Sequence, residues 1–228
     1  ELKKGDIEAG FAAADVIVER AYDTPTVHQG YIEPHATTVV FNENGPSMIW
    51  CPTQGHFDVR ARVAQLLNLE LGQIKVVASE IGGGFGGKTT VYLEPVALIL
   101  SKKSGRPVKM EMSRGDVFRA SGPASASQSL IKVGAKMDGT ITAMQATLHY
   151  EAGAFQGSPM GPGCMTVFTP YDVENLYVEG FDVVVNKPKV AAYRAPGAPQ
   201  SEFAAEMAVN ELAKKIGMDP IEFRLKNA

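Results

Sequence analysis

The sequence predicts an α+β fold in which mixed, hairpin-rich sheets pack against helices. Apolar residues follow strand and helix periods in turn along the chain, without the regular alternation of a doubly wound sheet. Turn residues separate several pairs of strand-like runs, which indicates hairpins. The 228 residues are 45% hydrophobic and 21% charged, an ordinary composition for a globular chain. We therefore predict one domain over residues 1–228, with room for two subdomains.

The first third of the chain predicts strands followed by a helix. Residues 15–22 alternate as a strand, and residues 36–51 contain two apolar runs around an Asn- and Gly-containing turn, which predicts a hairpin. Residues 54–70 place apolar side chains at helical spacing. Thr53 is the expected N-cap, so Gln54 would lie in the first turn of this helix.

A glycine-rich stretch, residues 82–87, dominates the middle of the chain, because five of its six residues are glycine. It follows a β-branched run at 74–78, which reads as a strand, and precedes an apolar run at 90–100, which reads as a helix. Pro95 requires that helix to start late or to kink. This arrangement is typical of backbone N–H groups directed at a phosphate or another anion. Phe85 is the one large side chain in the stretch.

The second half of the chain alternates between strands, turns and helices. Asp-Gly between two alternating runs is its strongest hairpin signal. The predicted elements are a strand at 107–112 after a closing Gly105, a hairpin over 127–150, an ordered Gly-, Pro- and Met-rich loop at 152–170, a strand at 177–186, a helix from Pro199 to Gly217 and a short last helix capped by Asp219.

Composition also excludes several classes of partner. The formal net charge of −3 gives no basic surface for nucleic acid, and no apolar run is long enough to span a membrane. Cys51 and Cys164 lack a partner motif, which favours packed thiols in a reducing, cytoplasmic compartment. The spacing of His28 and His35 favours structural or substrate-channel residues over metal ligands.

Two nucleotide-binding motifs fit the glycine stretch. Residues 82–89 match G-x-x-x-x-G-K-[ST], the phosphate-binding P-loop, and residues 82–87 match the G-x-G-x-x-G of dinucleotide-binding folds, with Glu111 as a candidate ribose ligand. No apolar strand ends in an Asp placed to hold Mg²⁺, and hairpins flank the motif on both sides. A P-loop or dinucleotide-binding domain remains the alternative reading.

A larger set of motifs occurs in a fixed order along the chain. The motifs are His28, residues 32–35, 51–54, 82–88, 106–109, 113–114 and 192–194, then Gly197, Pro199 and Gln200, and finally residues 219–220, Arg224 and Asn227. Together they resemble the molybdenum-binding subunit of the xanthine dehydrogenase and aldehyde oxidase family of molybdenum hydroxylases. The resemblance covers essentially the whole chain and matches the first of the family's two molybdopterin-binding domains. We therefore expect an excerpt of a longer catalytic subunit.

The resemblance implies which residues bind the cofactor. In the family the pterin holds the molybdenum, and the protein supplies no ligand to the metal. The family's contacts to the metal-bound oxygen and the pterin fall here on Gln54, on Gly84, Phe85 and Gly86 of the glycine stretch, and on Arg194. Backbone amides and a helix N-terminus fitted to an oxygen-rich anion agree with the reading of the residues themselves.

Departures from the family pattern bear on the substrate. Thr89 stands where xanthine-oxidising members have a substrate-contacting Glu, and Pro196 stands where they have an aromatic residue. Carbon-monoxide-oxidising members have a Cys where this chain has Ala195. The resemblance therefore implies a substrate pocket that includes Thr89 and Pro196, and an aldehyde or N-heterocycle in place of a purine or carbon monoxide.

The resemblance also implies the rest of the enzyme. The expected activity is a molybdenum-dependent oxidoreductase, a hydroxylase that uses water-derived oxygen. The family's general-base Glu lies outside this sequence, so no catalytic residue is expected within the chain, and the excerpt alone is expected to be inactive. The expected cofactor is molybdenum–molybdopterin in its cytosine dinucleotide form. The expected partners are a second molybdopterin-binding domain, an iron–sulfur subunit and a FAD subunit.

Overall fold

The computed structural model describes all residues from Glu1 to Ala228 and confirms the mixed α and β architecture. The predicted hairpins over 36–51 and 127–150 are both present as antiparallel pairs. In chain order the elements are β1 (Leu2–Lys4), α1 (Ile7–Ala12), β2 (Val16–Thr24), β3 (Ala36–Val40), β4 (Ser47–Cys51), α2 (His56–Leu67), β5 (Ile74–Ala78), α3 (Glu94–Ser104), β6 (Val108–Glu111), α4 (Arg114–Ala120), β7 (Ser127–Ala135), β8 (Ile141–Gly153), α5 (Met160–Thr166), β9 (Leu176–Val184), α6 (Ala198–Ile216) and α7 (Pro220–Asn227).

The chain forms two compact units, each built from separate stretches of sequence. Unit 1 consists of Glu1–Val27, Ser125–Val190 and Ala195–Ala228, and unit 2 consists of His28–Ala124 and Ala191–Arg194. None of the helices is both long enough and apolar enough to cross a bilayer.

Unit 1 is a five-stranded sheet with helices packed on it. The strand order is β1-β9-β8-β7-β2, and only the β8–β9 pair is parallel. Alternate residues of β7 and β8 are buried, as the two-residue period predicted, and α5 and α6 pack against this core. Gly139 closes the β7–β8 turn with a φ of 85°, a conformation that favours glycine.

Unit 2 is a four-stranded sheet in the order β5-β4-β3-β6. The β4–β5 pair is parallel, and α2 connects its two strands, while β3 pairs antiparallel with both of its neighbours. Val39 and Ile49 of the sheet pack with Val59 of α2 and Leu98 of α3 in one buried cluster. Helices α2 and α3 therefore complete the core of this unit.

The parallel β4–β5 pair sets the position of the glycine stretch. Cys51, the last residue of β4, lies opposite Ala78, the last residue of β5. The segments that leave these strands, residues 52–55 and 79–93, therefore start at the same edge of the sheet. The sequence predicts both strands but not their parallel pairing.

The prediction that Thr53 caps helix α2 is wrong. The helix begins at His56 with Gly55 as its N-cap, so Gln54 lies before the helix and not in its first turn. The Thr53 hydroxyl donates to the backbone oxygen of Lys88 at 3.1 Å and accepts from the Gly55 N–H at 3.1 Å. Thr53 therefore joins two loops instead of capping the helix.

Helix α3 starts late, as Pro95 required. The helix begins at Glu94 with the proline in its first turn, and Gly105 ends it with a φ of 64°. Residues 88–93 separate the glycine stretch from the helix, so the expected helix N-terminus does not directly follow the glycines. The sequence did not predict helix α5, which lies within the predicted 152–170 loop, or the short elements α1, α4 and β1.

Both cysteines are buried and unpaired, as predicted for packed thiols. Burial, together with the neighbouring Glu94 carboxyl, raises the pKa of Cys51 to about 12. This thiol is therefore protonated at neutral pH and chemically inert.

Candidate functional site: a glycine loop around Gln54

Residues 82–88 of unit 2, here called the glycine loop, adopt a conformation that ordinary residues avoid. Gly83 and Gly86 have φ values of 94° and 100°, and Phe85 has a φ of 52°. A bulky residue at positive φ is uncommon and must be held by its surroundings. The Gly87 N–H donates to the Gly84 oxygen at 2.7 Å, which closes a tight turn around Phe85. The Phe85 side chain remains 46% exposed.

Gln54 is fixed against this loop by both its backbone and its side chain. Its Oε1 accepts hydrogen bonds from the N–H groups of Gly86 at 2.9 Å and Lys88 at 3.2 Å. Its own N–H donates to the Lys88 oxygen at 2.9 Å. A Cβ on Gly84 would lie 2.6 Å from Gln54 Oε1, so this approach requires glycine at position 84. The residue is exposed, and its Nε2 donor has no partner within the chain.

Arg194 is held beside the loop by its backbone. The Arg194 N–H donates to the Phe85 oxygen at 2.9 Å. The segment that precedes Arg194 also lies close to the glycine loop, because a Cβ on Gly86 would lie 2.6 Å from the Ala192 oxygen. The same Ala192 oxygen accepts from Nε2 of the buried Gln29 at 2.9 Å. The Arg194 side chain is exposed, and its guanidinium has no ion pair or hydrogen bond within the chain.

Lys88 does not serve as a phosphate-binding lysine. Its side chain is 1% exposed, and Nζ lies 2.6 Å from Glu33 Oε2. It also lies 5.0 Å from the centre of the Tyr31 ring. A P-loop lysine must instead reach the phosphates of a bound nucleotide. The P-loop alternative therefore has no support in this structure.

The two predicted substrate-pocket residues belong to different units. Thr89 is exposed in unit 2, and its hydroxyl donates to the Gly86 oxygen at 3.1 Å. Pro196 belongs to unit 1, in the turn before α6. It follows Ala195, which has a φ of 55°. Contact of either residue with a substrate remains a prediction.

The two candidate histidines take part in hydrogen bonds within unit 2. His35 is buried, and its Nε2 lies 2.7 Å from the Tyr31 hydroxyl. His28 Nε2 lies 2.8 Å from Ser121 Oγ. Burial, with a contribution from the Lys88 charge, lowers the pKa of His35 to about 4. His35 is therefore neutral near pH 7.

This buried histidine predicts a loss of stability in acid. In the unfolded chain an ordinary histidine takes up a proton near pH 6.5, whereas folded His35 does so only near pH 4. The unfolded state binds more protons between these values, so the free energy of unfolding falls as the pH decreases through them, by on the order of 2 kcal/mol. The Glu33 carboxyl, whose pKa is lowered from its ordinary value of 4.5, contributes with the same sign below that pH. Thermal midpoints measured across this range should fall less steeply in His35→Gln. The variant His56→Gln, on α2, should follow the wild type, and equal slopes in all three would refute the assignment.

The donors around the glycine loop suit an oxygen-rich anion. Gln54 Nε2, the Arg194 guanidinium and the N–H groups of Gly83, Gly84 and Phe85 have no acceptor within the chain. No cluster of three or more His, Cys, Asp or Glu side chains is placed to hold a metal ion. The site therefore fits an oxygen-rich anionic group that is bound through its oxygens.

The cofactor-binding residues predicted from the sequence lie together in the structure. The structure brings Gln54, Gly84, Phe85, Gly86 and Arg194 together in unit 2. The sequence did not predict the ion pair between Lys88 and Glu33. Nor did it predict that buried Gln29 donates to the Ala192 oxygen. One feature of the sequence pointed to the ion pair: Lys88 is the only charged residue of the glycine loop.

Comparisons with known proteins agree on one family. The profile of the molybdopterin cofactor-binding domain matches residues 1–228. The chain is 34% identical to the nicotinate dehydrogenase large molybdopterin subunit of Eubacterium barkeri, over 100% of this chain and 54% of that protein. It superimposes on aldehyde oxidoreductase from Desulfovibrio gigas with a TM-score of 0.89 and 30% identity, over 100% of this chain and 26% of the other. For CO dehydrogenase from Oligotropha carboxidovorans the TM-score is 0.88 at 28% identity, over 99% of this chain and 30% of the other. The chain thus spans about half or less of the length of these relatives.

Proposed function

Because this chain belongs to the family of molybdopterin cofactor-binding domains, we propose that it holds a molybdenum–pterin cofactor at the glycine loop. The observation that carries the proposal is the set of donors without acceptors: Gln54 Nε2, the Arg194 guanidinium and the loop N–H groups. Donors fixed in advance can stabilise anionic oxygens without reorganising when charge develops.

Each part of the site has a distinct role in this proposal. When bound, the cofactor supplies two-electron oxidation with oxygen derived from water. Gln54 Nε2 donates to a cofactor oxygen, and Arg194 adds a positive charge beside the loop. The N–H groups of Gly84 and Phe85 have no acceptor within the chain and would donate to the cofactor as well. The Gly86 N–H acts indirectly, because it is already bonded to Gln54 Oε1 and orients the amide.

We further propose that the full protein oxidises an aldehyde or an N-heterocycle. Thr89 and Pro196 are the residues of this chain that would contact such a substrate, and neither supplies the carboxylate or aromatic face that purine-oxidising relatives use. Two of the three relatives described above, nicotinate dehydrogenase and aldehyde oxidoreductase, have names that fit these two classes. The general base would be a glutamate outside the chain.

The chain covers only part of each relative, which supports the presence of further domains or subunits in the full protein. It matches 54% of one relative and 26% of another. We propose that a second molybdopterin-binding domain completes the cofactor site, and that iron–sulfur and FAD subunits remove the electrons. We also propose the cytosine dinucleotide form of the cofactor and a cytoplasmic location.

Analysis of the full-length protein tests this function. The protein should be purified from a host that assembles a known molybdenum hydroxylase, which serves as the loading control. We expect near-equimolar molybdenum and release of a cytidine nucleotide on acid treatment. Absence of both from a preparation whose loading control is full would refute the proposal. Bound ATP or NAD instead would restore the nucleotide-binding alternative.

Removal of the Arg194 charge should weaken cofactor retention. A hydrogen bond to a charged group contributes about 1.5–3 kcal/mol, so Arg194→Ala should lose about tenfold or more in affinity. Molybdenum remaining after prolonged dialysis of the full-length protein measures this loss. Arg62→Ala, an exposed arginine on α2 without an ion pair, is the matched control. Equal retention in both variants would remove Arg194 from the site.

A further inference from the structure

The ion pair beneath the glycine loop is unusual for its burial. Lys88 is the only lysine or arginine among the buried residues of the chain, and its partner Glu33 is about one-third exposed. An unpaired cation at such a depth is costly, so Glu33 is required for Lys88 to remain inside. Burial works to raise the pKa of Glu33, but hydrogen bonds from Lys88 and the Gly82 N–H outweigh it, and the net pKa is lowered. Glu33 is therefore ionised near neutral pH.

The pair holds both ends of the glycine loop at once. The Glu33 Oε2 atom accepts from Lys88 Nζ at 2.6 Å and from the Gly82 N–H at 2.8 Å. In return, the Glu33 N–H donates to the Gly82 oxygen at 3.2 Å. A Cβ on Gly82 would lie 2.5 Å from the Glu33 Cβ, so this contact also depends on glycine. One carboxylate thus fixes the first and last residues of the loop.

Lys88 transmits this constraint to Gln54. Its backbone N–H donates to Gln54 Oε1, and its backbone oxygen accepts from the Gln54 N–H. Thr53 Oγ1 donates to the same oxygen. The side chain of Lys88 therefore reaches Glu33, while its main chain sets the position of Gln54.

The acceptor side of the pair is itself anchored. The Arg114 guanidinium donates to the backbone oxygens of Tyr31, at 2.9 Å, and of Ile32, which precedes Glu33. The Tyr31 ring lies beneath Lys88 Nζ. Glu33 therefore belongs to a segment with little freedom to follow a displaced lysine.

We propose that Lys88 and Glu33 are positioning residues that hold the glycine loop and, through it, the Gln54 amide in the orientation that receives the cofactor. The consequence for the cofactor rests on the proposed function, whereas the ordering of the loop does not. The two parts can therefore be tested separately.

The first test measures loop order in the cofactor-free, full-length protein. Hydrogen exchange of peptides that cover residues 82–88 should be about tenfold faster in Glu33→Gln and in Lys88→Met than in the wild type. The double variant, which leaves no uncompensated charge, should exchange more slowly than Glu33→Gln alone. The control is Lys132→Met, which breaks a partly exposed pair with Glu19 in unit 1 and should leave the loop unchanged.

The second test measures the consequence in the cofactor-loaded protein. We expect an altered Mo(V) electron paramagnetic resonance spectrum in Glu33→Gln and a spectrum closer to the wild type in the double variant. Wild-type exchange of the loop in Glu33→Gln would overturn the proposal, as would equal acceleration of exchange in the β7–β8 hairpin. Glu33→Gln preserves the shape of the side chain, so it decides the matter even where Lys88→Met does not fold. Faster loop exchange in a protein that never contains molybdenum would uphold the positioning role and refute only the proposed function.

Discussion

The Gly86→Ala variant of the full-length protein is expected to retain almost no molybdenum and to unfold at a lower temperature. Gly86 has a φ of 100°, which L-residues rarely adopt. The added Cβ would lie 2.6 Å from the oxygen of Ala192 and 2.8 Å from its Cβ, so the segment that carries Arg194 must move. Strain and clash together should cost about 3 kcal/mol or more. Molybdenum per chain and the thermal midpoint measure the two effects.

Substitutions of two other glycines in unit 2 separate the effect of backbone strain from the effect of the clash with Ala192. Gly72→Ala adds a Cβ with no atom within 4 Å and no positive φ, so it should resemble the wild type. Gly105→Ala introduces strain at a φ of 64° into open space, so it should lower the midpoint without loss of molybdenum. If Gly86→Ala retained as much molybdenum as Gly72→Ala, the glycine loop would not be the cofactor site.

Replacement of Gln54 is expected to slow reduction of the enzyme by its substrate, measured per bound molybdenum. Removal of one preorganised donor from a developing charge typically costs about two to three decades in rate. Gln54→Ala also leaves the N–H groups of Gly86 and Lys88 without their acceptor, which should lower stability by about 1 kcal/mol for each lost bond. Single-turnover reduction, molybdenum content and thermal midpoint should be measured on one preparation.

A second substitution at the same position separates the acceptor role of Gln54 from its donor role. Gln54→Glu keeps an oxygen acceptor for the two loop N–H groups, but it replaces the Nε2 donor with a charged oxygen that repels an anion. It should therefore preserve the midpoint of the cofactor-free protein, and reduction per bound molybdenum should still be slow. Gln65→Ala, an exposed glutamine on α2, is the control. A lowered midpoint in Gln54→Ala with unchanged reduction per bound molybdenum would make Gln54 a purely structural residue.

Local patterns predicted the two hairpins, β3–β4 and β7–β8, but not the antiparallel pairs between strands distant in sequence. The two-residue period on both sides of Asp138 and Gly139 predicted the β7–β8 hairpin, because adjacent strands with a tight turn have one favoured pairing. The parallel pairing of β4 with β5 left no such mark, since α2 separates the two strands. Yet this pairing is what brings Gln54 to the glycine loop.

Side-chain roles that depend on distant partners could not be predicted from local sequence. Thr53 resembles an N-cap because threonine commonly caps helices, but its hydroxyl bonds to the Lys88 oxygen, 35 residues away. Lys88 resembles a surface or phosphate-binding lysine, and only Glu33, 55 residues away, allows it to be buried. The motifs identified the residues of the loop, whereas the tertiary fold determines which of their hydrogen-bond donors have no acceptor within the chain.

In the proposed site the Gln54 amide lies against the molybdenum cofactor. Pulsed electron paramagnetic resonance of the full-length protein, labelled with nitrogen-15 at its glutamine side-chain amides and poised in the Mo(V) state, tests this claim most directly. We predict a weak coupling to one labelled nitrogen that Gln54→Ala abolishes and Gln65→Ala preserves. A coupling that survives in Gln54→Ala, or the absence of any coupling in a protein fully loaded with molybdenum, would contradict the account.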